Sequence, residues 1–189
     1  RRAIQTLVDD GLIVRRRGIG SQVVHGQVTR GMELTSLYDD IQRGGAKAET
    51  TVVSFGNHPA NAHVAQSLGV PTGTVVTESI RIRYADKIPM AVLHNWIPHS
   101  IGTLTKEELD GKGLYQILRE RGFVPQVGKQ RISARKVTQA EAKELDIESG
   151  AAVLTMERTA YDSMGRAIEH GEHIYRTDLY SLEFTVVNK

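Results

Sequence analysis

The chain contains no cysteine, which excludes a disulfide framework and any thiolate-held metal. No apolar run approaches the ~18 residues of a membrane-spanning helix. Nothing in it reads as a signal peptide, so the cytoplasm is the expected compartment. It has no Gly-x-Ser-x-Gly elbow, no P-loop and no His-Glu-x-x-His pair. The spaced glycines Gly18 and Gly20 lack the strand–turn–helix setting of a dinucleotide site. With no nucleophile–base constellation, the expectation is a protein that is not an enzyme and needs no cofactor. What is present is ordinary for a globular protein: 189 residues, 40% hydrophobic and 24% charged. That is enough for one sizeable core beyond a short N-terminal segment.

Charge is unevenly placed. Residues 1–24 carry five arginines (Arg1, Arg2, Arg15, Arg16 and Arg17) against Asp9 and Asp10. Of the 24 basic and 22 acidic side chains, 19 and 20 lie in the remainder, so the net +2 originates at the N-terminus. Ile4, Leu7 and Val8 recur at helical spacing, and Gly11 follows where a helix end favours a left-handed residue. Leu12-Ile13-Val14 and Gln22-Val23-Val24 read as two short strands flanking a basic tip, residues 15–20. Helix, strand, basic wing and strand, in that order, predict the second half of a winged helix-turn-helix. Clustered arginines there suit a DNA backbone.

Beyond residue 34 the chain repeats itself at an offset of 77 residues. Ala65, Leu68, Gly73, Val76, Arg81 and Tyr84 match Ala142, Leu145, Gly150, Val153, Arg158 and Tyr161. Each copy reads as an extended segment (50–55; 130–137), a short helix (60–68; 139–145) and a hairpin (75–98; 152–178). A helix over 114–120, ended by Arg121-Gly122, lies between them. Two such units predict an α+β fold: one antiparallel sheet with helices on one side.

Arg81 and Arg83 sit at i and i+2 of a strand, so both guanidiniums project from one face. Such a pair suits a phosphate or carboxylate; the alternative is an exposed face with ordinary ion pairs. Thr35 or Ser36 reads as the cap of a helix whose free amides could meet an anion or simply satisfy the helix itself. In Glu169-His170-Gly171-Glu172-His173, strand alternation sends the two histidines to opposite faces. Zinc would need ligands from elsewhere, so no metal site is expected. Glu169 and Tyr175 share a face and could hydrogen-bond a hydroxylated ligand.

The first segment resembles the GntR family of bacterial repressors through Arg1, Ala3, Ile4, Leu7, Gly11-Leu12-Ile13, Gly18-Ile19-Gly20 and Val23. The resemblance implies that Arg1 and Arg2 enter the major groove and that the Gly18–Gly20 tip, beside Arg15–Arg17, reaches the minor groove. It also implies a chain that begins inside the recognition helix of a longer repressor. Residues 34–189 resemble the UTRA effector domain of the HutC-type subfamily, through Leu34-Thr35-Ser36-Leu37, Arg81-x-Arg83-Tyr84-Ala85-Asp86, Trp96-Ile97-Pro98, Leu114-Tyr115 and Tyr175-Arg176-x-Asp178. The implied fold is that of chorismate lyase. The implied division is a partial winged head over 1–25, a linker over 26–34 and an effector domain over 35–189. The implied effector contacts are Thr35, Ser36, Leu37, Tyr38, Arg81, Arg83, Gly113, Tyr115, Glu169 and Tyr175. Gly113 departs from a common serine, and Leu37 and Tyr38 from the usual phenylalanine and threonine. The expected partners are operator DNA and a small effector, a sugar or amino-sugar phosphate first, with the chain acting as a homodimer. The rival readings are a chorismate lyase-like enzyme and an oligomerisation domain without a ligand.

Overall fold

The computed structural model describes residues 13–16, 20–23, 28–30 and 34–183. Near the N-terminus, β1 (Ile13–Arg16) pairs antiparallel with β2 (Gly20–Val23), with Arg16 opposite Gly20. This is the hairpin expected for the wing. The helix expected before it, including Arg1 and Arg2, and the Arg17–Gly18 tip lie outside the described residues. Within the stretch expected as a linker, β3 (Val28–Arg30) pairs in parallel with β10 (Tyr180–Leu182).

The remainder is built on a six-stranded antiparallel sheet. Its strands are β4 (Ala48–Pro59), β5 (Val75–Ala85), β6 (Ile88–Pro98), β7 (Val127–Lys136), β8 (Ala152–Tyr161) and β9 (Ala167–Arg176). Their spatial order is β4-β5-β6-β9-β8-β7. The order reads as one copy of the repeat followed by its reversal, and the two copies meet at the β6–β9 seam. Both hairpins expected from the sequence form, the first turning at Asp86-Lys87 and the second at Asp162–Arg166. Asp86 and Lys87 take positive φ values of 49° and 69°, and Asp162 accepts hydrogen bonds from the Met164 and Arg166 amides.

The helices are short and carry explicit end signals. Helix α1 (Leu37–Arg43) begins at Ser36, α2 (Ala62–Leu68) at Asn61, and α3 (Lys106–Gly111) at a Thr105–Glu108 capping box. Helix α4 (Leu114–Glu120) has Gly113 as its N-cap, and α5 (Gln139–Leu145) opens with a Thr138–Glu141 capping box. Helices this short are not stable alone and depend on packing.

Helices cover both faces of the sheet, not one. The matched helices α2 and α5 lie on the face carrying Val76, Val92 and Trp96. Helix α1 and the α3–α4 connector cover the other face through Leu37, Leu109, Leu114, Tyr115 and Leu118. The physical reason lies in β5. Its face with Thr77, Ser79, Arg81 and Arg83 is as buried as a core face, and something other than the repeat's own helices had to cover it. None of the described helices is long and apolar enough to cross a membrane.

Candidate functional site

Arg81 and Arg83 are almost wholly buried, at 2% and 1% exposure. The exposed-face alternative therefore fails. Arg81 Nη2 donates to Asn95 Oδ1 at 2.5 Å, and Arg83 Nη1 donates to Thr50 Oγ1. Arg83 also lies 4.9 Å above the Tyr38 ring. Arg81 Nε, Arg81 Nη1 and Arg83 Nε have no hydrogen-bond partner among the described residues. Burial pulls the Arg81 guanidinium down to about 10, partly offset by the charge of Glu169. Burial, then repulsion from Arg81, pulls Arg83 down to about 9. Both depressions describe positive charge held away from water without an adequate counter-ion.

A third arginine completes the cluster. Arg158 donates through Nε and Nη2 to Gln130 Oε1, at 2.8 and 2.5 Å, and through Nη1 to the Thr35 carbonyl at 3.3 Å. Burial works against its charge, but Tyr115, Tyr175 and Glu169 outweigh it and its pKa is raised. Glu169, also fully buried, accepts from Asn95 Nδ2 at 2.6 Å and from the Tyr115 hydroxyl at 3.3 Å. Its pKa is raised because burial outweighs Arg158, Asn95, Tyr115 and Arg81. His173 links Asn95 and the Tyr175 hydroxyl, each at 3.0 Å. Three guanidiniums around one carboxylate leave an excess of buried positive charge.

These groups surround a small cavity of about 30 Å³. Ser36, Leu37, Tyr38, Arg81, Arg83, Tyr115, Glu169 and Tyr175 all line it. Two other expected residues lie one step back. Thr35 enters only through its carbonyl bond to Arg158. A Cβ on Gly113 would meet Ser36 Oγ and Tyr38 Cβ at 3.2 Å, so a serine there would crowd α1. Ser36 is the helix cap, and its Oγ accepts from the Asp39 amide at 3.1 Å. Gly171 is required by the network: a Cβ would fall 2.5–2.8 Å from Glu169 Oε1, His173 Nε2 and Asn95 Nδ2.

Sequence reasoning missed Arg158 and Asn95, and gave no role to His173, which strand alternation puts on the face of Glu169 and Tyr175. The signal for Arg158 was the repeat itself, which pairs it with Arg81. Asn95 needed strand register: Arg81 pairs with Leu93, and Asn95 with Gly171. Of the expected DNA-contacting residues, Arg15 and Arg16 fall on β1 and Gly20 on β2; Arg1, Arg2, Arg17 and Gly18 lie outside the described residues.

The sequence profile of the UTRA domain matches residues 43–181. The chain is 28% identical over 183 residues to the HTH-type transcriptional repressor NagR of Bacillus subtilis, covering 96% of this chain and 75% of NagR. It is 28% identical over 180 residues to the HTH-type transcriptional regulator GgaR of Escherichia coli, covering 95% of this chain and 72% of GgaR. Among solved structures, a Streptomyces coelicolor protein assigned as a transcriptional regulator superposes with a TM-score of 0.70 at 38% identity. That match spans 76% of this chain and 97% of the other. PhnF of Mycobacterium smegmatis superposes with a TM-score of 0.81 over all of this chain and 84% of PhnF, at 23% identity, a likeness of fold. These relatives regulate transcription, and the chain stands with regulators, not with enzymes. It belongs to the UTRA domain family, among transcriptional regulators of the GntR, HutC-type group.

Proposed function

We propose that this chain is the sensing part, with a portion of the DNA-binding head, of a cytoplasmic repressor. It works as a homodimer and responds to a small phosphorylated metabolite, a sugar or amino-sugar phosphate. The observation that carries this reading is the set of three nitrogens on the buried Arg81 and Arg83 that have no partner among the described residues. Holding an ion away from water without a partner costs several kcal/mol, and a phosphate would supply the missing acceptors. At the other end of the cavity, Glu169, Asn95, Tyr115, His173 and Tyr175 offer the donors and acceptors that sugar hydroxyls need.

The cavity holds little more than water, so a sugar phosphate enters only if segment 34–38 gives way. That segment carries Tyr38, stacked against Arg83, and Thr35, bonded to Arg158. It also continues directly into residues 26–33 and the proposed head over 1–25. Ligand entry and head arrangement are thus two ends of one stretch of chain. The effector acts by binding one arrangement better than the other. In the head, Arg15, Arg16 and Arg17 neutralise phosphates, Gly18 and Gly20 form the wing tip, and Arg1 and Arg2 face the major groove.

Calorimetric titration with phosphorylated sugars, their unphosphorylated parents and simple carboxylates tests the ligand class. Saturable binding that requires the phosphate is expected. Equal binding of the unphosphorylated parents would overturn the reading.

A further inference from the structure

On the sheet face opposite the arginines, α2 places His63 over β8 and β9. His63 Nε2 lies 3.5 Å from Glu157 Oε1 and 3.3 Å from Glu172 Oε1. Its ring meets that of His170 edge to face, with centroids 5.4 Å apart. One donor atom from each of His63, Glu157 and His170 lies within 4.8 Å of the other two.

Two features go beyond ordinary ion pairing. His170 is completely buried, with its Nδ1 against Thr159 Oγ1 at 3.0 Å, and its Nε2 has no hydrogen-bond partner among the described residues. A ring fixed through one nitrogen, with the other unsatisfied, is the arrangement of a metal-ligating histidine oriented by its surroundings. In addition, Glu157 and Glu172 are direct partners across β8 and β9. Like charges at such positions destabilise a sheet. Arg131 reaches only the outer oxygen of Glu157, at 3.3 Å.

We propose that His63, His170, Glu157 and Glu172 form a binding site for a divalent transition-metal ion of the zinc type. Two imidazoles and two carboxylates are a nitrogen–oxygen set that zinc accepts. Tetrahedral bonds of about 2.0–2.1 Å put neighbouring donors about 3.3 Å apart. His63 and Glu172, both about half exposed, are the ligands free to close in on the fixed His170. The alternation that separates His170 from His173 still holds: His173 joins the arginine cavity, and the further ligands come from α2 and β8. Because Arg158 and Glu169 are the sequence neighbours of Glu157 and His170, a metal here would brace the strands that frame the cavity without touching its contents.

The probe is zinc chloride titrated into the whole chain after chelator treatment, followed by cobalt(II) absorption to read coordination geometry. One ion per chain and a tetrahedral cobalt spectrum are expected. His63→Ala and Glu172→Gln should each weaken zinc at least tenfold with an unchanged circular dichroism spectrum. His58→Ala and His99→Ala, exposed histidines elsewhere, should leave binding as it was. Absence of saturable zinc binding, or wild-type affinity in the His63 and Glu172 variants, would overturn the site.

Discussion

Matched positions in the two repeats hold arginines with opposite circumstances. Arg158 on β8 has every guanidinium nitrogen engaged: its neighbour on the edge strand β7, Gln130, accepts from Nε and Nη2, and the Thr35 carbonyl accepts from Nη1. Arg81 on β5 has Val52 as the corresponding neighbour on β4. Valine offers nothing to a guanidinium, and two of the Arg81 nitrogens have no partner among the described residues. The position after next repeats the contrast, with Arg83 in the first copy and Ala160 in the second. A duplicated scaffold thus supplies buried basic positions twice. The residue on the edge strand determines how many of the arginine's nitrogens find a partner within the sheet.

That contrast can be broken by substitution. Arg158→Ala should lower stability by about 3–5 kcal/mol, the scale of breaking a buried charged network, read as a shift in the guanidinium unfolding midpoint. Arg81→Ala in the same assay should not show that loss, since it removes a poorly compensated charge. An equal loss in both variants would erase the distinction between the two arginines.

Arg83→Lys should cost about 1.5–3 kcal/mol of binding for a phosphorylated ligand, the scale of hydrogen bonds to a charged group. A point charge cannot reproduce the fork or its stacking on Tyr38. Gly171→Ala sharpens the comparison from the other strand. Its Cβ would displace the Glu169–Asn95–His173 network, costing about 1–3 kcal/mol as overpacking does, seen by thermal unfolding.

The smallest expected effect compares the matched helices. Helix α5 is held by Glu141, which Arg135 and Thr138 together pull down to about 2 despite partial burial. Its partner α2 has only the Asn61 cap. A carboxyl depressed in the folded state adds stability above its unfolded pKa and loses it as pH falls through its folded pKa. Stability should therefore decline between pH about 4.5 and about 2. Glu141→Gln should flatten that decline in acid titrations followed by circular dichroism.

Much of this was legible before the structure. The 77-residue offset marked both hairpins, both matched helices and a single antiparallel sheet; the reversed strand order came only with the structure. The paired arginines and the Glu169–Tyr175 face were legible from alternation alone. The burial of the arginines was not. Thr77, Ser79, Arg81 and Arg83 form a polar stripe, and nothing local in a polar stripe tells a solvated face from one covered by a distant connector. The covering elements, α1 and α4, lie outside the repeat. The contribution of Asn95 depended on cross-strand register, which the β-bulge between Arg83 and Tyr84 shifts by a residue.

Arg81 and Arg83 are proposed to form an anion seat. The direct measurement is calorimetry of the Arg81→Ala/Arg83→Ala double variant with a phosphorylated sugar that binds the unaltered chain, with unfolding followed on the same samples. Binding should fall by about a hundredfold or more, the scale of two charged hydrogen-bonding groups, while the unfolding midpoint holds or rises. Full-strength binding by the double variant, or its failure to fold, would contradict the anion seat.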